Sequence, residues 1–246
     1  MRNMSQLCHF KKANVPKGMF CAGADLSSEL NSGPEETVRS HRDGGGRVAL
    51  AIHRCRKPVI GAINGSAVGI GITMTLPMSI RIVSAEAKVG FVFARRGIVM
   101  EACSSFFLPR LVGYGRAMEL ITTGRVYGAG DNVFDGLWSE VLPKEKVLER
   151  ALEVADEVAE NTSAVSTHLM KDMIWRNPGS AEGTHLLDSR LLVELFRGRD
   201  KEEGVKSFLE KRGPVFEGVV GSDAPGAWPW WDEVDVRAEG EGKAKL

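Results

Sequence analysis

Gly18-Met19-Phe20-Cys21-Ala22-Gly23-Ala24-Asp25-Leu26 sets a turn of small residues against a short apolar segment. Pro58-Val59-Ile60-Gly61-Ala62-Ile63-Asn64-Gly65-Ser66-Ala67-Val68-Gly69-Ile70-Gly71-Ile72-Thr73 repeats that arrangement farther along. In each, a small-residue turn can leave backbone N–H groups pointing at a ligand. Two such donors converging on one oxygen form an oxyanion hole. Read alone, Gly69-x-Gly71 also fits a dinucleotide-binding loop, or close packing of a helix on a strand. Met74 stands where a GxGxxG loop needs its third glycine, which makes the dinucleotide signal weak.

Around these motifs the chain alternates strand and helix signals. Val59–Ile63 predicts a buried strand, bounded by Pro58 and Asn64-Gly65. Ala67–Leu76 suits a helix that starts in a tight loop, and Ser79–Val83 another short strand. Upstream, Asn31–Gly46 reads as a loop running into a helix over Val48–Cys55 that ends near Arg56. Farther on, Val147, Ala151, Val154 and Val158 form one stripe of a helix over Lys146–Glu160, with Leu148, Leu152 and Ala155 beside it. A helix is predicted over Ser163–Trp175, stopped before Pro178. Asp200 with Glu203 reads as a capping box opening a helix toward Phe208 and Leu209. Strands mix with helices early and helices dominate late, so the fold class is α/β.

Lys plus Arg equals Asp plus Glu among the 246 residues, so no basic excess points to nucleic acid. No apolar stretch approaches the roughly 18 residues a bilayer span requires. Cys8, Cys21, Cys55 and Cys103 include no CxxC pair, and are expected as isolated buried thiols. His9, His41, His53, His168 and His185 show no ligand spacing, so no metal is assigned.

Together with the segments downstream of them, the two glycine motifs resemble the crotonase (enoyl-CoA hydratase/isomerase) superfamily, from about Pro16 to about Trp231. The resemblance implies a spiral core of repeated ββα turns with a C-terminal helical region for trimer contacts. The implied division is 1–185 for the core, 186–220 for the helical region and 221–246 for a tail. Family members carry about 50 or more further residues before the first motif. Only Met1 to Phe20 precede Cys21 here, so the early strands of the spiral are expected to be incomplete.

The resemblance also implies the chemistry. The substrate is an acyl-CoA thioester, whose enolate oxygen accepts from the N–H groups of Ala24 and Ile70. Ala22, Gly23, Asp25, Gly69 and Gly71 shape that site, with Asp25 capping or orienting the first motif. The family's hydratases use two glutamates, but Thr73 and Phe93 stand at those positions. Arg95-Arg96-Gly97-Ile98-Val99-Met100-Glu101-Ala102-Cys103-Ser104-Ser105 instead resembles the segment around the catalytic glutamate of peroxisomal Δ3,Δ2-enoyl-CoA isomerases. Glu101 is therefore the expected base, with Ile98, Val99, Met100, Phe106 and Phe107 desolvating it. Without the resemblance, Glu101 reads as a surface or helix-capping residue. The expected reaction moves a double bond from C3 to C2 with one base. The alternatives are a hydratase, a dual hydratase/isomerase, and an inactive acyl-CoA-binding or truncated member. No metal or redox cofactor is called for, since CoA belongs to the substrate.

Arg54, Arg56 and Lys57 read as a solvated helix end, and by resemblance as neighbours of a CoA phosphate. Trp228-Pro229-Trp230-Trp231 reads as a packing anchor. Ala244-Lys245-Leu246 is a close variant of the Ser-Lys-Leu address read by a peroxisomal import receptor. The expectation is a peroxisomal homotrimer or hexamer.

Overall fold

The computed structural model describes residues 18–25 and 36–238. Cys8, His9, the segment over 26–35 and the tripeptide Ala244–Leu246 lie outside the described residues. The chain divides into two compact units. The first holds the described residues up to Cys55, Val59–Ala151 and 236–238. The second holds Arg56–Pro58 and Leu152–Asp235.

In the first unit, strand β1 (Met19–Cys21) precedes helix α1 (Gly44–Arg54), then β2 (Ile60–Ile63), β3 (Ser66–Val68) and the single helical turn α2 (Ile70–Thr73). Next come β4 (Ile80–Ser84), β5 (Lys88–Gly90), α3 (Ser104–Val112), α4 (Tyr114–Thr123), β6 (Val126–Gly128) and β7 (Glu140–Leu142). From β1 to β5 successive strands go to alternate sheets; β6 stays in the sheet of β5, and β7 returns to the other. One sheet has the order β1-β3-β5-β6 and the other β2-β4-β7. Every pairing is parallel except β5 with β6. A chain that steps between two parallel sheets in this way winds as a spiral, as the resemblance implied.

The central strand β4 carries Ile82 and Val83, both fully buried. A parallel strand covered on both faces reads as a continuous apolar run. Ile63, Ala67, Ile72, Leu76, Val89, Phe91, Leu108 and Leu120 complete the core. Fully burying one of the larger of these side chains contributes about 1.5–3 kcal/mol. Ser79 ties β4 to the entry of β2. Its N–H donates to the Val59 carbonyl at 2.8 Å, and its hydroxyl accepts from the Val59 N–H at 3.4 Å.

Two sequence expectations for the first unit need correction. Ala67–Leu76 is not one helix. Ser66–Val68 pairs in register with β5, Ala67 opposite Val89, and helix begins only after Gly69, whose φ of 58° breaks the strand. The cysteines described are half-buried rather than buried.

The division between units falls within α5 (Val147–Asn161). The second unit continues with α6 (Ala164–Trp175), α7 (Ala181–Leu195), α8 (Arg199–Leu209) and α9 (Val220–Asp223). Ser163 caps α6, its hydroxyl accepting from the Ser166 N–H at 3.2 Å. The expected capping box at Asp200 is not formed. Gly198 stands at the cap of α8, and Asp200 lies inside the first turn. There it accepts from the N–H groups of Glu217 and Gly218 and from Ser163 Oγ. The tryptophan-rich segment is a packing anchor, as its composition suggested. Trp228 Nε1 donates to Asp172 Oδ2 at 3.0 Å, and Trp230 Nε1 donates to the Arg176 carbonyl at 2.9 Å. The Arg56 guanidinium lies over the Trp228 ring at 5.7 Å, so Arg56 is not simply solvated. No helix among the described residues is long and apolar enough to cross a membrane.

Candidate active site

β1 and β3 are neighbours, and the glycine turns that follow them meet. A Cβ on Gly69 would lie 3.8 Å from Cα of Gly23. A Cβ on Gly71 would collide with the Cys21 carbonyl at 2.4 Å, so only glycine allows α2 to rest on β1. Gly23 adopts φ of 93°, with the Val68 carbonyl 3.0 Å from where its Cβ would stand. These contacts set Cys21 and Gly23 against Val68, Gly69 and Gly71, so the turn that carries Ala24 adjoins the turn that carries Ile70. Among the described residues, neither the Ala24 nor the Ile70 amide donates to an acceptor. The first amides of a helix have no intrahelical partner, and Ile70 opens α2. Because α2 is one turn long, the local N–H matters here and a helix dipole contributes little.

Glu101 lies on the approach to α3. The hydroxyl of Thr73, at the end of α2, donates to Glu101 Oε1 at 2.5 Å. Ser104 fixes the main chain at this point: its N–H and Oγ both reach the Glu101 carbonyl, at 3.0 and 2.5 Å. Ala102 and Cys103, the next two residues, both have φ of 55°. Left-handed backbone in a non-glycine residue costs roughly 1–2 kcal/mol. Such conformations concentrate where the surroundings impose a geometry.

The carboxyl of Glu101 is half-buried, and burial pushes its pKa above the ordinary range. The Thr73 hydrogen bond pulls it back, and the charge of Asp43 raises it again. Burial also pushes the Cys103 thiol up, with Asp43 and Glu101 adding to the effect. The expected desolvating wall is only partly present. Val99 is 86% exposed and Ile98 49%, so neither shields the carboxylate; Phe106 is partly exposed. The wall comes from farther away, from Gly45 in α1 and from Ile70.

Thr73, Asp43 and Gly45 were not identified as site residues from sequence. Thr73 counted only as a missing glutamate. Asp43-Gly44-Gly45-Gly46 carried a usable signal, because three glycines in the first turn of a helix oppose helix formation and call for a steric reason. Phe93, at the other expected glutamate position, is a buried core residue.

Residues 15–219 match the enoyl-CoA hydratase/isomerase family. The chain belongs to that family. Its relatives include the enoyl-CoA hydratase ACTT3 of Alternaria alternata. The two are 55% identical over 202 residues, which cover 82% of this chain and 68% of the relative. A mevalonyl-coenzyme A hydratase of Beauveria bassiana is 33% identical over 208 residues, covering 80% of this chain and 74% of that one. Among solved structures, the enoyl-CoA hydratase of Bacillus anthracis superposes with a TM-score of 0.71 at 32% identity. That match covers 81% of this chain and 77% of the other. The α/β spiral with the crotonase fold is thus shared across the enoyl-CoA hydratase/isomerase family and this chain.

Proposed function

We propose that this family member catalyses proton transfer next to the thioester of an enoyl-CoA, with hydration of a 2-enoyl-CoA as its principal reaction. The observation that carries the reading is the Glu101 carboxylate, half-buried and held by the Thr73 hydroxyl, beside the glycine loop that begins α2. The thioester oxygen accepts from the amides of Ala24 and Ile70. Glu101 takes a proton from water as the water oxygen bonds to C3. The electron pair of the double bond moves toward the thioester, and the enolate charge gathers on its oxygen. Glu101 then delivers the proton to C2, which restores the carboxylate. One oxyanion donor is typically worth about 10²–10³ in rate. A carboxyl with a raised pKa is a better proton acceptor and donor near neutrality. Relatives named enoyl-CoA hydratase support this reading. The chemistry calls for no metal or redox cofactor.

Isomerisation of a 3-enoyl-CoA is the second reading. It is favoured by Thr73 and Phe93, which replace the glutamate pair implied for hydratases. The same carboxylate would remove the C2 proton and return it to C4. Apolar side chains left exposed on the second unit, among them Ile174, Leu186, Phe208 and Leu209, support an oligomeric protein.

The test gives purified protein a 2-enoyl-CoA and, separately, a 3-enoyl-CoA, and follows the absorbance of the conjugated thioester. Loss of the signal with the first marks hydration, and a gain with the second marks isomerisation. Glu101→Gln is expected to abolish either. Undiminished turnover by that variant would remove Glu101 from the chemistry.

A further inference from the structure

The first turn of α1 touches Glu101. A Cβ on Gly45 would lie 1.6 Å from Glu101 Oε2 and 2.8 Å from Ile70 Cδ1. The carboxylate therefore occupies space that any other residue at position 45 would fill. Gly46 makes room in the same way for a second carboxylate, since its Cβ would lie 2.5 Å from Asp43 Oδ2. Asp43 caps α1 by accepting from the Gly46 N–H. The same oxygen, Oδ1, accepts from the Ala102 N–H at 3.3 Å. That contact reaches the residue immediately after Glu101, where the left-handed pair Ala102–Cys103 begins. Glycine in a helix is a liability. Here two of the three consecutive glycines each accommodate a carboxylate.

We propose that Gly45 and Asp43 are positioning residues for the acid/base carboxylate. Gly45 provides the berth in which Glu101 Oε2 lies, and Asp43 ties the start of α1 to the main chain that carries Glu101. The proposal rests on Glu101 being the acid/base group. The start of α1 is then a wall of the active site, and the residue at position 45 decides where the base points. Glu101 faces two titratable groups among the described residues, Asp43 from α1 and Cys103 from its own segment. The neighbouring turn α2 contributes the Thr73 hydroxyl.

The test compares Gly45→Ala, Asp43→Asn, Asp43→Ala and Glu101→Gln in the full chain. It uses steady-state kinetics with 2-butenoyl-CoA and a 3-enoyl-CoA, pH profiles and thermal melts. Alanine favours the helix, and the atoms it meets are ends of side chains that can swing away. Gly45→Ala should therefore keep or raise Tm and leave KM within a few-fold. Its kcat should fall on the order of 10²-fold, the cost of a base misplaced by about 1 Å. Asp43→Asn retains a capping oxygen but removes a negative charge that holds the proton on Glu101. The acid limb of its kcat profile should move to lower pH. A Gly45→Ala enzyme with wild-type kcat would overturn the berth. An Asp43→Asn profile superimposed on the wild type would overturn the effect of its charge, and an Asp43→Ala enzyme, which lacks the oxygen that meets the Ala102 N–H, with wild-type kcat would overturn the tie. These results are read against Glu101→Gln: if that variant is itself active, the underlying assignment of the base fails, and this proposal with it.

Discussion

The Thr73 hydroxyl and Glu101 Oε1 are joined by a 2.5 Å hydrogen bond that spans 28 residues of sequence. It links the turn that would bind the thioester oxygen to the group that would move the proton. Thr73 also reaches back to the Gly69 carbonyl at 3.3 Å, so its side chain has a fixed direction. Thr73→Val keeps the shape of this fully buried residue and deletes the donor. A hydrogen bond to a charged group contributes about 1.5–3 kcal/mol, so kcat should drop roughly 10- to 100-fold. The bond holds the Glu101 pKa down, and its loss lets the pKa rise further. The acid limb of the pH–rate profile should accordingly move to higher pH, opposite in direction to the shift expected for Asp43→Asn.

Glu101 should also lower stability at neutral pH. Its folded-state pKa is raised above the ordinary 4.5, with burial the first cause. Between those two values the folded chain holds the proton and the unfolded chain does not. Stability is therefore fully present below the unfolded value, and is lost as pH rises through the folded one. Glutamine carries no such proton. Glu101→Gln should melt above the wild type at pH 7–8, by a modest margin because the group is only half-buried. The gap should close toward pH 4, as followed by circular dichroism.

Arg81 should be among the costliest residues to replace in the first unit. It is 6% exposed, and burial pushes its pKa down to about 10. Its guanidinium donates to the carbonyls of Leu137 at 2.8 Å, Leu76 at 3.2 Å and Met78. Arg81→Met strands three acceptors in the interior and should destabilise by about 3 kcal/mol or more in urea titrations. Arg81→Lys, with one charged end, should recover only part of the loss.

Trp228 should matter through its N–H as well as its ring. It satisfies Asp172, which is 5% exposed, and it packs with Val165, Leu169 and Val220. Trp228→Phe keeps an aromatic ring and removes the donor. A loss of about 1.5–3 kcal/mol is expected in the second unit, measured by chemical denaturation.

The fold was legible in the sequence because its determinants are local. Val59–Ile63 and Ser79–Val83 are apolar runs bounded by turn residues, and both are strands within one residue of the predicted ends. The spaced stripe of α5 was equally plain. Ala67–Val68 was misread because so short an apolar stretch ahead of a glycine turn satisfies a strand or a helix equally well. The two glycine motifs announced their meeting through composition, since close backbone approach demands small residues. The surroundings of Glu101 were far less legible. Ile98 and Val99 are its neighbours in sequence but turn outward, whereas Thr73, Gly45 and Asp43 arrive from other turns of the spiral. A contact of that kind leaves no periodicity, only an unexplained glycine or a missing glutamate.

The placement of the tryptophans makes the two units optically distinct. Trp175, Trp228, Trp230 and Trp231 belong to the helical unit, and the remaining tryptophan, Trp138, to the spiral. Trp230 and Trp231 lie edge to face at 5.1 Å, close enough to give a near-ultraviolet signature of their own. Intrinsic emission therefore samples mainly the helical unit, while far-ultraviolet ellipticity samples the whole backbone. Melting curves from the two signals, taken on the unlabelled protein, would show whether the units lose structure together or in succession.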